Sequence, residues 1–312
     1  MVKPIAILLG SLLVLTAPVL AGDRDAVADG EPSQFELAGI ASGLGVNLAA
    51  VGRLVGSGNT LFKTAVDVGN NSASAAQIDF YFDGTSAGAS LFASGSLSSS
   101  GALVARGTGG TVRGHMNVHY DDFVDALVGA SLLPSSVETN GILGSTLFVF
   151  NGFSKSGQGS ATARFYNSAF GGTIGQAING REITTSEPTK LVVTARNTVG
   201  KSGPQLYSNL FVNNLGLTPT GSGTPSAVNV LVSASSNSSG NPVGTPLTIT
   251  GLAPGATTVV AVFTQLAIPA SEDTVLLTIN VVSGTSAIDA VIDQIDNTTH
   301  DGTSSKAVNG AF

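Results

Sequence analysis

The chain has 312 residues, a formal charge of −7, 42% hydrophobic and only 11% charged side chains, 40 glycines and no cysteine. The acidic balance and the scattered Lys and Arg exclude a basic nucleic-acid footprint and a polybasic lipid-binding cluster. Without cysteine a disulfide-stapled scaffold is excluded, so stability must come from hydrophobic cores, and the length suffices for two of them.

In chain order, residues 1–21 read as a signal peptide. Met1-Val2-Lys3 supplies the positive start, residues 5–19 an apolar run, and Val19-Leu20-Ala21 the small residues before cleavage at Gly22. The run is too short for a membrane span, and no later stretch reaches the roughly 18 apolar residues that a span needs. The expected setting is secreted, extracellular or cell-surface, with the periplasm as the alternative. Residues 22–45 carry Asp23, Arg24, Asp25, Asp29, Glu31 and Pro32 without an apolar period, which predicts a flexible leader.

From Val46 the pattern changes to short apolar runs rich in Val, Ile, Phe and Thr, separated by Gly, Ser and Asn. Ile78, Phe80 and Phe82 share one face at period two, as in a half-buried strand. Asn70-Asn71-Ser72 reads as a turn. Residues 91–110 are Ser- and Gly-rich and read as an exposed loop with weak edge strands. Asp121 or Asp122 is placed to cap a short helix carrying Phe123, Ala126 and Leu127.

The second half echoes the first. Residues 48–62 and 191–207 each run apolar, place an arginine (Arg53, Arg196), then a Val-Gly pair and a turn, and re-enter an apolar strand. Residues 172–180 and 302–310 share five of nine positions, among them Asn179 with Asn309. A duplication follows as the expectation, with copies at 46–183 and 184–312, Phe62 matching Tyr207 and Phe123 matching Phe263. Residues 287–296 space Ile288, Val291, Ile292 and Ile295 as a helix would, but their counterpart in the first copy reads as a strand, and a strand is expected. The predicted fold class is all-β: two tandem Ig-like or related β-sandwich domains with one short helix per domain at most.

Several short motifs carry a resemblance. Phe62-Lys63-Thr64 running to Asn70, Tyr207-Ser208-Asn209 running to Asn213, Tyr120-Asp121-Asp122-Phe123, Gly172-Thr173-Ile174-Gly175-Gln176, and the turn from Asp296 to Asp301 all contribute to it. With these the chain resembles tandem β-sandwich proteins secreted by environmental bacteria, although the tryptophan usual in them is absent. The resemblance implies a fold and a secreted setting, and no catalytic residue.

Candidate chemistry is sparse. Gly84-Thr85-Ser86-Ala87-Gly88 has the spacing of a nucleophile elbow but lacks the helix that must follow. His115 and His119, beside Asp121 and Asp122, are metal candidates; on a strand their positions lie about 13 Å apart, too far to share an ion. Asp296 and Asp301, with Asn297, Thr299 and Gly302, resemble the start of a calcium loop, but the twelfth position is Val308, where a bidentate glutamate is required. Tyr81, Tyr120, Tyr166 and Tyr207 are the aromatic candidates for stacking on a sugar. The expected function is therefore a secreted non-catalytic structural or interaction module, associated with a cell surface or matrix, with no catalytic residue and no cofactor. The alternatives are an extracellular module binding glycan or calcium, and third a hydrolase with an unrecognised site. The expected partner is an extracellular protein or glycan.

Overall fold

A computed structural model describes residues 43–55, 61–167, 174–184, 187–220, 223–296 and 302–310. The expected signal peptide lies outside the described residues, as does the expected leader except for Gly43-Leu44-Gly45. Those three belong to the first strand rather than to a leader, because they pair with Asn151, Phe150 and Val149.

The described chain is mostly antiparallel strand. In the first unit, β1 (Gly43–Val55), β8 (Ile142–Asn151), β3 (Ala76–Ser86), β4 (Ala89–Leu97) and β5 (Leu103–Ala105) lie side by side in that order. The short β11 (Arg181–Ile183) flanks β1, and β6 (Thr111–Val112) pairs with the start of β3. A second layer runs β7 (Met116–Tyr120), β2 (Leu61–Asn70), β9 (Gly159–Asn167) and β10 (Ile174–Asn179). β1 joins the layers. After a bulge between Leu48 and Val51 it stays with β8 as far as Arg53, then sets Leu54 and Val55 opposite Phe62 and Leu61 of β2.

The second unit has a five-stranded sheet: β15 (Pro242–Leu252), β14 (Val228–Ser236), β17 (Thr274–Ser283), β12 (Lys190–Arg196) and β20 (Val308–Asn309). Its four-stranded sheet runs β16 (Thr257–Ala261), β13 (Leu206–Asn214), β18 (Ile288–Asp296) and β19 (Gly302–Lys306). Among the described residues no strand of one unit pairs with a strand of the other.

Alternation builds each core. Ile78, Phe80 and Phe82 are fully buried, as their period-two spacing requires, and meet Val66, Val68, Ala161 and Ala163 from the facing layer. Phe123 stands edge-on to both Phe80 and Phe148, at 6.0 and 5.9 Å between ring centroids. In β14, Val228, Val230, Val232 and Ala234 point inward while the residues between them are half-exposed.

The helices are short: α1 (Phe123–Gly129), α2 (Ser136–Asn140) and α3 (Val262–Gln265). Asp122 caps α1, its side chain accepting from the amide of Asp125. The expectation of at most one helix per domain fails for the first unit. There Pro134 and Ser135 open an extra turn that buries Val137, and Gly141 closes it at φ 74°. No helix among the described residues is long and apolar enough to cross a membrane.

Residues 91–110, expected as an exposed loop with weak edge strands, hold most of β4 and all of the edge strand β5. Gly95 is required there, since a Cβ would lie 2.5 Å from both the Phe80 ring and the Val104 carbonyl oxygen. The segment with helical spacing is strand β18. Ile288, Ala290 and Ile292 face the second core while Asp289, Val291 and Asp293 face the first unit, and all six are buried. A strand covered on both sides carries apolar residues at both parities, and that mimics a helical period. The expected match of Asn179 with Asn309 does not fall on matching strands: Asn179 ends β10 against β9, whereas Asn309 lies in β20 against β12.

Candidate functional site

Ser86 closes β3 opposite Ala89, and Ala87 and Gly88 form the two-residue turn between them, both at positive φ (49° and 84°). Its hydroxyl is buried and donates to the carbonyl of Gly141 at 2.5 Å. A serine so held in a hairpin is not raised over an oxyanion site.

His115 precedes β7 at φ 57°, its amide donating to the carbonyl of Ser72. His119 lies in β7 with Nδ1 2.9 Å from Asp67 and Nε2 3.1 Å from Asp121. Those hydrogen bonds, Asp67 first, raise the affinity of His119 for its proton. Both ring nitrogens are thereby engaged, and the two histidines are not brought together. Among the described residues no group of three or more His, Cys, Asp or Glu is arranged to hold a metal ion. Asp296 ends β18 and accepts from the amide of Gln205 at 3.2 Å; Asp301 lies outside the described residues.

The tyrosines are engaged as well. Tyr120 donates to Gly101 and Tyr166 to the carbonyl of Asp121, while Arg106 lies 5.0 Å over the ring of Tyr81. Burial, then the charge of Asp293, pushes Tyr207 up to about 12.

A network of buried polar groups lies between the two units. Asn47 of β1 donates to Asn213 and Asp289 of the second unit, each at 3.2 Å. Asp289 also pairs with Arg181 at 3.3 Å, and Arg181 with Glu187 at 3.1 Å. Glu187 is buried, which raises its pKa, and it is partly offset by the hydrogen bond from the Thr184 amide and by Arg181. Ser145 donates to the carbonyl of Gly255 at 2.7 Å, and Thr257 donates to that of Ala49 at 2.8 Å. Gly255 allows this approach, because a Cβ there would fall 2.3 Å from Asp83.

Apolar contacts complete the seam. Phe211 and Val291 of the second unit join the core of the first, with the Phe211 ring 6.2 Å from Phe165. Leu215, Leu217 and Ala287 cover Leu147, Val149 and Ile183. Ser304 and Lys306 of β19 donate to the carbonyls of Ala177 and Gly180. Asp293 sits in the same surface, 7% exposed, with Oδ1 lacking a hydrogen-bond partner. Burial holds its pKa well above the usual aspartate value.

Sequence reasoning missed Asn47, Arg181, Glu187 and Asp289 as a group. The available signal was Asp289 and Asp293 inside an apolar strand, where a carboxylate needs a partner or a proton. Comparison with known proteins found no matching family model, no matching curated protein and no matching solved structure.

Proposed function

We propose that the chain is an exported, non-catalytic structural or interaction module built from two β-sandwiches of Ig-like or related type that are copies of one plan. The observation that carries the reading is the seam. Its buried hydrogen bonds, ion pairs and aromatic contact hold the units as a single stiff body, where an enzyme or a binding protein of two domains commonly keeps a cleft. The export signal read in residues 1–21 supplies the setting.

The copy reading has two supports. The first unit runs β4-β3-β8-β1-β11 and β7-β2-β9-β10; the second runs β15-β14-β17-β12-β20 and β16-β13-β18-β19. Side-chain devices also recur. Thr64 exchanges hydrogen bonds with both backbone groups of Gly52, as Ser208 does with those of Arg196. Asn70 accepts from the amide two residues on and donates to the carbonyls of Ser74 and Val112; Asn214 accepts likewise and donates to Ser226 and Leu252. With Thr64 set on Ser208, Phe62 falls on Leu206, one residue from the Tyr207 expected.

The test is turnover. Ser86→Ala and His119→Ala variants, assayed against ester, peptide and glycoside substrates, are expected to match the parent chain at background. A hydrolytic rate that collapses in either variant overturns the reading. Thermal melts with millimolar calcium and with chelator are expected to coincide; a rise in midpoint with calcium favours the calcium-binding alternative by mass action.

A further inference from the structure

An open groove of ≈ 430 Å³ on the second unit is lined by Val192, Arg196, Leu276, Gln294, Lys306 and Val308, among others. Its walls have counterparts in the first unit, fixed by strand register. Val46 faces Phe148 as Leu191 faces Ile279, and Phe80 faces Phe148 as Val232 faces Ile279. Val192 therefore stands where Asn47 stands, and Leu276 where Ser145 stands. Asn47 pairs with Arg181 as Val192 pairs with Val308, and Thr64 pairs with Phe165 as Ser208 pairs with Gln294. Asn47, Arg181, Ser145 and Phe165 are among the first-unit residues that grip the second unit. The groove is thus the second unit's version of a surface that, on the first unit, is occupied. It leaves Leu276 38% and Val308 61% exposed.

The inserted face has a counterpart too. Phe211 faces Val259 across β13 and β16 as Asp67 faces His119 across β2 and β7. Asn213 faces Asp289 as Gly69 faces Ser160. The outer β2–β7–β9 face of the first unit therefore matches the face by which the second unit docks, and the side chains of Asp67 and His119 on it are exposed.

We propose that the groove receives the β2–β7–β9 face of a second copy of the chain, head to tail, repeating between chains the contact made within one. It deepens the structural-module reading by naming the partner, and it rests on that reading. The contact is heterologous, so each added copy presents a fresh groove and growth is open-ended. Its chemistry differs from the internal seam. Asp67 and His119 replace Phe211 and Val259, and they carry Asp121 beside them toward a groove holding Arg196 and no acidic lining residue. Such a polar contact is weak and salt-sensitive, where the internal seam is permanent.

Sedimentation velocity of the full chain, from micromolar to millimolar at low salt, tests this. The weight-average mass is expected to climb continuously past two chains and to fall back toward one at about 0.5 M salt, where screening is strong. Arg196→Glu and Leu276→Asp, at exposed positions, and Asp67→Arg, at a half-buried one, are each expected to hold the protein at one chain. Circular dichroism and melting are expected unchanged in the first two, which keeps the result separate from the hydrogen bonds that Asp67 makes to His119 and Asn117. A constant mass of one chain overturns the proposal and makes the Asp67–His119 face a terminating cap. Association that stops at two chains, or persists in Leu276→Asp, overturns it as well. Neither outcome depends on turnover, so it leaves the non-catalytic reading to its own assay.

Discussion

Thr64 and Ser208 show how single polar side chains set this fold. Each hydroxyl donates to a carbonyl and accepts from the amide of the same residue, twelve positions earlier, near the end of the preceding strand's pairing with β8 or β17. Asn70 and Asn214 each tie three backbone groups at the far end of the strand, among them the Val112 and Leu252 carbonyls in buried hydrogen bonds. Replacing either asparagine by alanine is expected to cost about 1–3 kcal/mol, the desolvation of the orphaned groups. The two losses are expected to add, because the sites share no partner. Urea titrations of the single and double variants check both statements, and a loss under about 0.5 kcal/mol would show that water satisfies those groups. Asn70 is legible in the sequence as a turn residue, since asparagine suits that geometry. Its burial is not legible, because the carbonyl of Val112 comes from a distant part of the chain.

Strand β18 marks the limit of pattern reading at the level of elements. Its apolar residues repeat like a helix because one parity faces its own core and the other faces the first unit, and only the packing separates the two roles. β14, covered on one face, is legible from its alternation alone. Asp293 is the price of β18 serving both faces. Its raised pKa means that the folded chain keeps a proton the unfolded chain has lost. Stability from this group is therefore complete below the ordinary aspartate pKa and declines as pH climbs toward the folded value. No basic residue contributes to that shift, which comes from burial; Tyr207 is the titrating neighbour that feels the Asp293 charge. Asp293→Asn is expected to raise the melting midpoint at about pH 8 and to leave it nearly unchanged at about pH 4. An equal shift at both pH values would show that the carboxyl is not the source.

Across the whole molecule, the all-β class is legible, because turn residues and apolar runs are local signals. The seam is not, because its residues come from five distant stretches: Asn47, Ser145, Arg181, Asn213 and Asp289. Their contribution is measurable. Asp289→Ala leaves Arg181 with Glu187 alone and Asn47 with Asn213 alone, and is expected to cost about 1.5–3 kcal/mol, the worth of the hydrogen bonds lost to a charged group. A cost within about 1 kcal/mol, the range of exposed pairs, would show that water reaches the seam.

The central claim is that the two units form one stiff body. The chain has no cysteine, so Thr85→Cys and Thr250→Cys, at exposed positions in the first and second units, take spin labels without interference. Pulsed electron-electron resonance on the dilute doubly labelled chain measures the distance between the units directly. A single narrow distance, broadening when Asp289→Ala is added, is the predicted result; a broad distribution in the parent chain would contradict the account.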